Sequence, residues 1–337
     1  MNWRAFIAVP SLLLLTGVAP DETPVHIPLS VRHNARFGTY KAALLVGIGN
    51  IAPVPVSFDT GSSGLRIFAS AKLDAPGSGV QCTQTPTSVT YGNPARITYT
   101  GVVCYAPLRF GSFTTPASIP IAYLTSASCP PANPDCKIPD LRDPRATGGY
   151  GVFGAGITGF TSGEGRVPNP ILTLPGRLGD VFTIHLTDMG GDLVLGDREP
   201  DGSTEFPLSH ANAEGQKWTL GRACLFVNAQ AIDQCATISF DTGNGVPWIH
   251  NLDSPAIPQN DGLVAAGTRI GFAPPGDSNE AVSVTGGTAF YNSIKVLELP
   301  RGEPMANASI QVFLNRIVTY DNARGVIAFS ASTSPTR

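Results

Sequence analysis

The tripeptide Asp-Thr-Gly occurs twice, in matching frames: Val56-Ser57-Phe58-Asp59-Thr60-Gly61-Ser62-Ser63-Gly64 and Thr237-Ile238-Ser239-Phe240-Asp241-Thr242-Gly243-Asn244-Gly245. Each copy is an alternating or apolar run that ends in a carboxylate, a small hydroxyl residue and a glycine, the composition of a strand entering a tight turn. One such turn would carry little weight, because Asp and Gly are ordinary turn residues. The second copy follows 182 residues after the first in a chain of 337. That spacing predicts two lobes of similar length, each offering one Asp to a shared site.

Carboxyl groups a few ångströms apart cannot both ionise comfortably, so one keeps a proton while the other is charged. An acid and a base then share one site. Such a pair can hold a water, deprotonate it as it attacks an amide carbonyl, and protonate the developing oxyanion or the departing nitrogen.

The rest of the chain reads as short strands. Apolar runs rich in Val, Ile and Thr are broken by Gly, Pro or Asn, with no long helical period. Only 14% of residues are charged, while 37 Gly and 30 Pro suit many strands joined by tight turns. The expected fold class is all-β. A net charge of −3 with no basic run gives no reason to expect nucleic acid. No Cys-x-x-Cys pair occurs and the five His show no metal-ligand spacing, so no metal is expected. The run Gly151-Val152-Phe153-Gly154-Ala155-Gly156 lacks the order and βαβ context of a dinucleotide site, and no Gly-x-Ser-x-Gly elbow exists. Neither a cofactor nor a serine hydrolase is therefore expected.

Residues 1–19 read as an export signal: Arg4 is followed by an apolar stretch from Ala5 through Val18, too short for a confident membrane span. Cleavage near Gly17-Val18-Ala19 and retention as an N-terminal anchor both remain open. Either way the protein is expected outside the cytoplasm, secreted or periplasmic, as a monomer. Only a few residues separate this stretch from a first strand near Val25-His26-Ile27-Pro28, so no long basic pro-segment is expected.

Six cysteines in an exported chain predict disulfides. Fifteen pairings are formally open, and strand geometry favours one set. Cys82 and Cys104 lie symmetrically about Asn93-Pro94, Cys224 and Cys235 about Ala229-Gln230, and Cys129 and Cys136 close a short proline-rich loop.

Several further segments carry a family resemblance. Tyr40-Lys41-Ala42-Ala43-Leu44-Leu45-Val46-Gly47-Ile48-Gly49 leads to the first Asp. Val152-Phe153-Gly154 is a hydrophobic-hydrophobic-Gly element. Val181 to Leu186 with Gly191 to Asp197, and Phe313 through Phe329, frame the second half. With both Asp-Thr-Gly copies, the chain resembles the pepsin-like aspartic proteases over most of residues 36–330.

The resemblance implies a bilobal fold with a cleft between an N-terminal lobe (25–180) and a C-terminal lobe (181–334). It makes Asp59 and Asp241 the catalytic pair, with Thr60 and Thr242 cross-bracing the loops and Gly61, Ser62, Gly243 and Asn244 supporting them. Ser88-Val89-Thr90-Tyr91-Gly92 is similar to the family's flap, with Tyr91 as its tyrosine, Gly92 following it, and Tyr99 on the return strand as the rival. A peptide or protein is the implied substrate.

The sequence also departs from the family pattern. Arg66 stands where a tryptophan usually hydrogen-bonds the flap tyrosine. It is either a surface charge on an apolar stem or a donor to Tyr91 and a positive wall of the cleft. Ile310 falls where a glycine is usual, with small Ser309 able to fill the place by a one-residue slip. Asn244 and Gly245 replace the usual hydroxyl residues. Asn307-Ala308-Ser309 fits a glycosylation acceptor but is expected to be buried. These departures keep open a second reading, a weak or inactive pepsin-like protein of the binding or inhibitor type.

Overall fold

The computed structural model describes residues 23–34, 39–92, 96–131, 133, 136–159, 165–197, 202–252, 256–287, 293–297 and 302–331. The apolar stretch 1–19 and the Asn93-Pro94 pair lie outside them. Strands dominate, with three 3-10 turns and one short helix, Arg177–Asp180, among the described residues. This is the two-lobed, all-β architecture expected from the sequence.

The first lobe is built on four strands, β1 (Val25–Asn34), β2 (Thr39–Ile48), β3 (Ile51–Asp59) and β4 (Ser63–Phe68). β2 and β3 form a hairpin that sets Leu44 opposite Val56 and Ala43 opposite Ser57. Alternation along β3 buries Val56 and Phe58, so that Asp59 emerges at the strand end with its backbone fixed on both sides. On its far side β3 pairs in parallel with Gly151–Ala155, placing Phe153 beside Phe58 and Gly154 beside Asp59. β4 closes that strand's other edge, with Gly64 opposite Gly154. A Cβ on Gly154 would meet the Ser63 backbone at 2.7 Å, so only glycine fits the crossing.

The second lobe repeats the arrangement. Gln230–Ser239 runs into Asp241 and pairs in parallel with Met305–Asn307, which in turn pairs with Trp248–His250. The nine-stranded sheet around it is separate from the larger, fifteen-stranded one. That larger sheet joins the lobes: β1 pairs with β2 through Ser30 to Asn34 and with Gly190–Leu195 through Val25 to Leu29. Gly190–Leu195 pairs in turn with Val181–Thr187, to which the closing strands Arg316–Asp321 and Val326–Ala331 are added.

One apolar core runs through both lobes. Phe206, Phe240 and Phe329 pack edge to face with centroids 4.7–5.6 Å apart, and Phe182 stacks on Tyr320 at 5.0 Å. A second cluster of Phe68, Tyr99, Val103, Leu124 and Val167 lies beneath the hairpin formed by β5 (Gln81–Tyr91) and β6 (Ile97–Ala106).

Three disulfides join Cys82 to Cys104, Cys129 to Cys136 and Cys224 to Cys235. The second hairpin differs from its expected centre in one respect. Its turn is Asn228-Ala229, both at positive φ, rather than Ala229-Gln230, and a bulge between Cys224 and Phe226 restores the pairing of the cysteines.

The Cys82–Cys104 bond spans 22 residues and staples the base of the β5–β6 hairpin. Replacing both by Ser should lower the unfolding free energy by about 3 kcal/mol in the chain-entropy account, read from the urea midpoint.

Candidate active site

The two Asp-Thr-Gly turns meet where the lobes touch. The Thr60 amide donates to Thr242 Oγ1 at 3.1 Å, and the Thr242 amide donates to Thr60 Oγ1 at 3.0 Å. Each hydroxyl then donates across the interface, Thr60 Oγ1 to the Phe240 carbonyl at 2.8 Å and Thr242 Oγ1 to the Phe58 carbonyl at 2.9 Å. Tyr320, on the closing strand, adds a second donor to the Phe240 carbonyl at 2.9 Å. Both threonines are buried, so every one of these polar groups needs its partner.

The glycines permit the approach. A Cβ on Gly61 would collide with the Asp241 carboxyl, and one on Gly243 would stand 2.5 Å from Asp59 Cγ. Each aspartate therefore packs over the other loop's glycine. Each also accepts the amide two residues ahead: Gly61 N to Asp59 Oδ1 and Gly243 N to Asp241 Oδ1, both at 2.8 Å.

Beyond that shared frame the two carboxyls differ. Ser62 Oγ donates to Asp59 Oδ2 at 2.6 Å. Asp241 accepts the Asn244 amide at 3.1 Å on Oδ1 and Asn307 Nδ2 at 2.8 Å on Oδ2. Burial, and next the nearby charge of Asp59, push the Asp241 carboxyl up to about 7, with the Asn307 hydrogen bond opposing the rise. The closely spaced pair thus keeps a proton at mildly acid pH.

Asn307 went unrecognised in the sequence. It ends the strand that runs parallel to Gln230–Ser239, opposite Ser239, and is only 6% exposed. Its Oδ1 accepts from Asn244 Nδ2 at 2.9 Å and from the Ser309 amide at 2.9 Å, which leaves Nδ2 aimed at Asp241. A side chain so engaged is not a glycan acceptor. The one clue in the sequence was an amide residue opening the element that parallels Val152-Phe153-Gly154.

The structure also resolves the register around Ile310. Continuing the parallel pairing by two residues sets Ser309 beside Asp241, as Gly154 stands beside Asp59. Ser309 is fully buried at φ 59°, ψ −176°, a glycine-like conformation, and its hydroxyl accepts the Gln311 amide. Ile310 points into the core while its amide donates to the Asn244 carbonyl at 2.9 Å.

Of the two candidate tyrosines, Tyr91 lies toward the carboxyls and Tyr99 behind it. Tyr99 packs edge-on against Tyr91 at 6.1 Å and against Phe68 at 5.5 Å, within the cluster under the hairpin. The Tyr91 ring carries the Arg66 guanidinium 5.6 Å from its centroid. Its hydroxyl sits beside Ser62 and Arg66 without a well-formed hydrogen bond, and burial raises it to about 12 against the pull of Arg66. Arg66 Nη1 in turn reaches Ser62 Oγ at 3.4 Å and the Gly64 carbonyl at 3.3 Å. The guanidinium therefore faces inward, toward Ser62 and Tyr91. A cavity of about 220 Å³ opens beside it, walled by Ser62, Ser63, Arg66, Thr87, Ser88 and Arg166. Gly92 follows Tyr91 at φ 87° and is exposed.

A raised carboxyl has a signature in stability. Between about pH 4 and pH 7 the folded carboxyl pair holds a proton that the unfolded chain releases, so stability is greatest below that window and is lost as pH rises through it. The slope should approach about 1 kcal/mol per pH unit, and Asp241→Asn should flatten it, as read from urea unfolding across the window.

No protein-family model and no curated protein matches the chain. Among solved structures it is similar to the crystal structure of an aspartic proteinase from Irpex lacteus, with a TM-score of 0.59 and 15% identity, over 92% of this chain and 98% of that one. At that identity the likeness is one of fold: the chain folds as an aspartic proteinase does.

Proposed function

We propose that the protein is an exported aspartic endopeptidase. The observation that carries the reading is the carboxyl pair itself, locked across two loops and set in unlike hydrogen-bonding surroundings. Asp59 is the ionised base that takes a proton from the attacking water, and Asp241 is the acid that gives its own to the carbonyl oxygen. Collapse of the tetrahedral intermediate returns a proton to Asp241 as the departing nitrogen takes one from Asp59, so the pair ends as it began. Tyr91 covers the site from the hairpin, excluding bulk water. The apolar N-terminal stretch and the three disulfides support export.

Asp59→Asn and Asp241→Asn should each reduce peptide cleavage by more than about a hundredfold while leaving thermal unfolding cooperative, because one carboxyl cannot supply both acid and base. Unaltered cleavage in either variant would exclude a shared pair. If the wild-type protein cleaves nothing between about pH 3 and pH 7, where Asp241 is expected to be protonated, the binding-type reading takes its place. The inward turn of Arg66, where relatives carry tryptophan, is what favours that second reading.

Arg66 also sets an expectation for the enzyme. A cation one serine away from Asp59 favours ionised carboxylates, so the pH at which the pair gains its proton is lowered. Arg66→Trp should move the activity optimum upward and shift cleavage of a mixed peptide library toward apolar residues. An unchanged profile in both respects would show that the guanidinium does not act on the site.

A further inference from the structure

Arg32 on β1 and Lys41 on β2 stand directly opposite one another, with His33 opposite Tyr40 beside them. Like charges in opposed positions weaken a sheet unless something neutralises them. Among the described residues no carboxylate does so: the ion pairs there join Arg269 to Glu280, and Arg324 to Glu205 and Asp321. Both cations instead line a cavity of about 460 Å³, together with His33, Thr39 and Ser57. Its volume suits a side chain or a short peptide segment rather than a single water.

The cavity lies beside both aspartate loops. Ser57 is two residues before Asp59 on β3, hence on the same face of that strand. Thr39 meets the second loop, where a Cβ on Gly245 would come within 3.0 Å of it. In the sheet order β1 and β2 fall on one side of β3, whereas β4 and the β5–β6 hairpin fall on the other. This cavity and the one beside Arg66 therefore flank Asp59 from opposite sides.

We propose that the Arg32–Lys41 cavity is a subsite for a Glu or Asp side chain, and that with Arg66 on the opposite flank it makes acidic peptides the preferred substrates. The planar guanidinium can grip a carboxylate in two hydrogen bonds while the ammonium adds a second charge, which relieves the repulsion between them. The chain as a whole is acidic, at −3, so the attraction is local to the cleft and does not come from net charge. The preference for cleavage rests on the peptidase reading above; binding of the acidic peptide does not.

Two octapeptides supply the probe, identical except for four Glu or four Gln placed on both sides of a central Leu-Phe bond. At about pH 5.5, where the peptide carboxyls are ionised, the Glu peptide should show a kcat/KM roughly tenfold higher, the scale of a hydrogen bond to a charged group. In Arg32→Gln/Lys41→Gln that ratio should fall toward one, while Arg32→Lys, which keeps both charges, should preserve most of it. The double variant should melt no lower than the wild type, since it removes a repulsion. A wild-type ratio near one, or a ratio unmoved by the double substitution, overturns the proposal and leaves the peptidase intact. If neither peptide is cleaved, the peptidase reading fails and calorimetry decides the subsite. Tighter binding of the Glu peptide that is lost in the double variant sustains it; equal binding of the two peptides overturns it.

Discussion

Two threonine hydroxyls hold the centre of this molecule. Thr60 and Thr242 exchange amide-to-hydroxyl hydrogen bonds, and their hydroxyls donate to the carbonyls of the residues that precede the opposite aspartates. All of this is buried, so removing one partner leaves unsatisfied groups at roughly 1–3 kcal/mol each. The glycines that follow depend on that grip, because Gly61 and Gly243 lie close to the opposite carboxyls only while the two loops are clasped. The spacing of the aspartates is thus a property of the join between lobes and of neither lobe alone.

Within that symmetric frame, chemistry needs asymmetry, and the supporting side chains supply it. Asp59 takes a serine hydroxyl that itself lies within reach of a guanidinium, so positive charge stands on its side of the pair. Asp241 takes a neutral amide from Asn307, and its burial outweighs that hydrogen bond. A repeated motif in the sequence therefore yields two carboxyls in different electrostatic settings, because what surrounds each copy is not repeated.

The fold and the pairing of the two loops were legible because the chain writes them locally: an apolar strand, Asp-Thr-Gly and a hydrophobic-hydrophobic-Gly support are contiguous signals. The cysteine pairs could be read from hairpin symmetry, although the bulge after Cys224 moved the turn by one residue. Asn307 was not legible, because its role depends on a parallel pairing between strands some 66 residues apart. Ser309 was only half legible: its size fitted, but its positive φ is imposed by the buried bonds around it. The inward direction of Arg66 was also undecided in the sequence, since either orientation of so long a side chain obeys the same local rules.

The division of β1 between the lobes bears on how the protein comes into being. Its first half pairs with residues 191–195 and its second half with residues 39–43, so this strand cannot be fully seated until those residues of the second lobe exist. The strands that finish the same sheet lie further along the chain still, between Arg316 and Ala331. Pairings this distant are slow to form, and during synthesis the first lobe carries an open edge awaiting its partners. The paired-carboxyl arrangement thus arrives all at once: a ribosome-bound first lobe holds Asp59 without its counterpart, and the two carboxyls come together only after the second lobe has been made and the threonine clasp has closed.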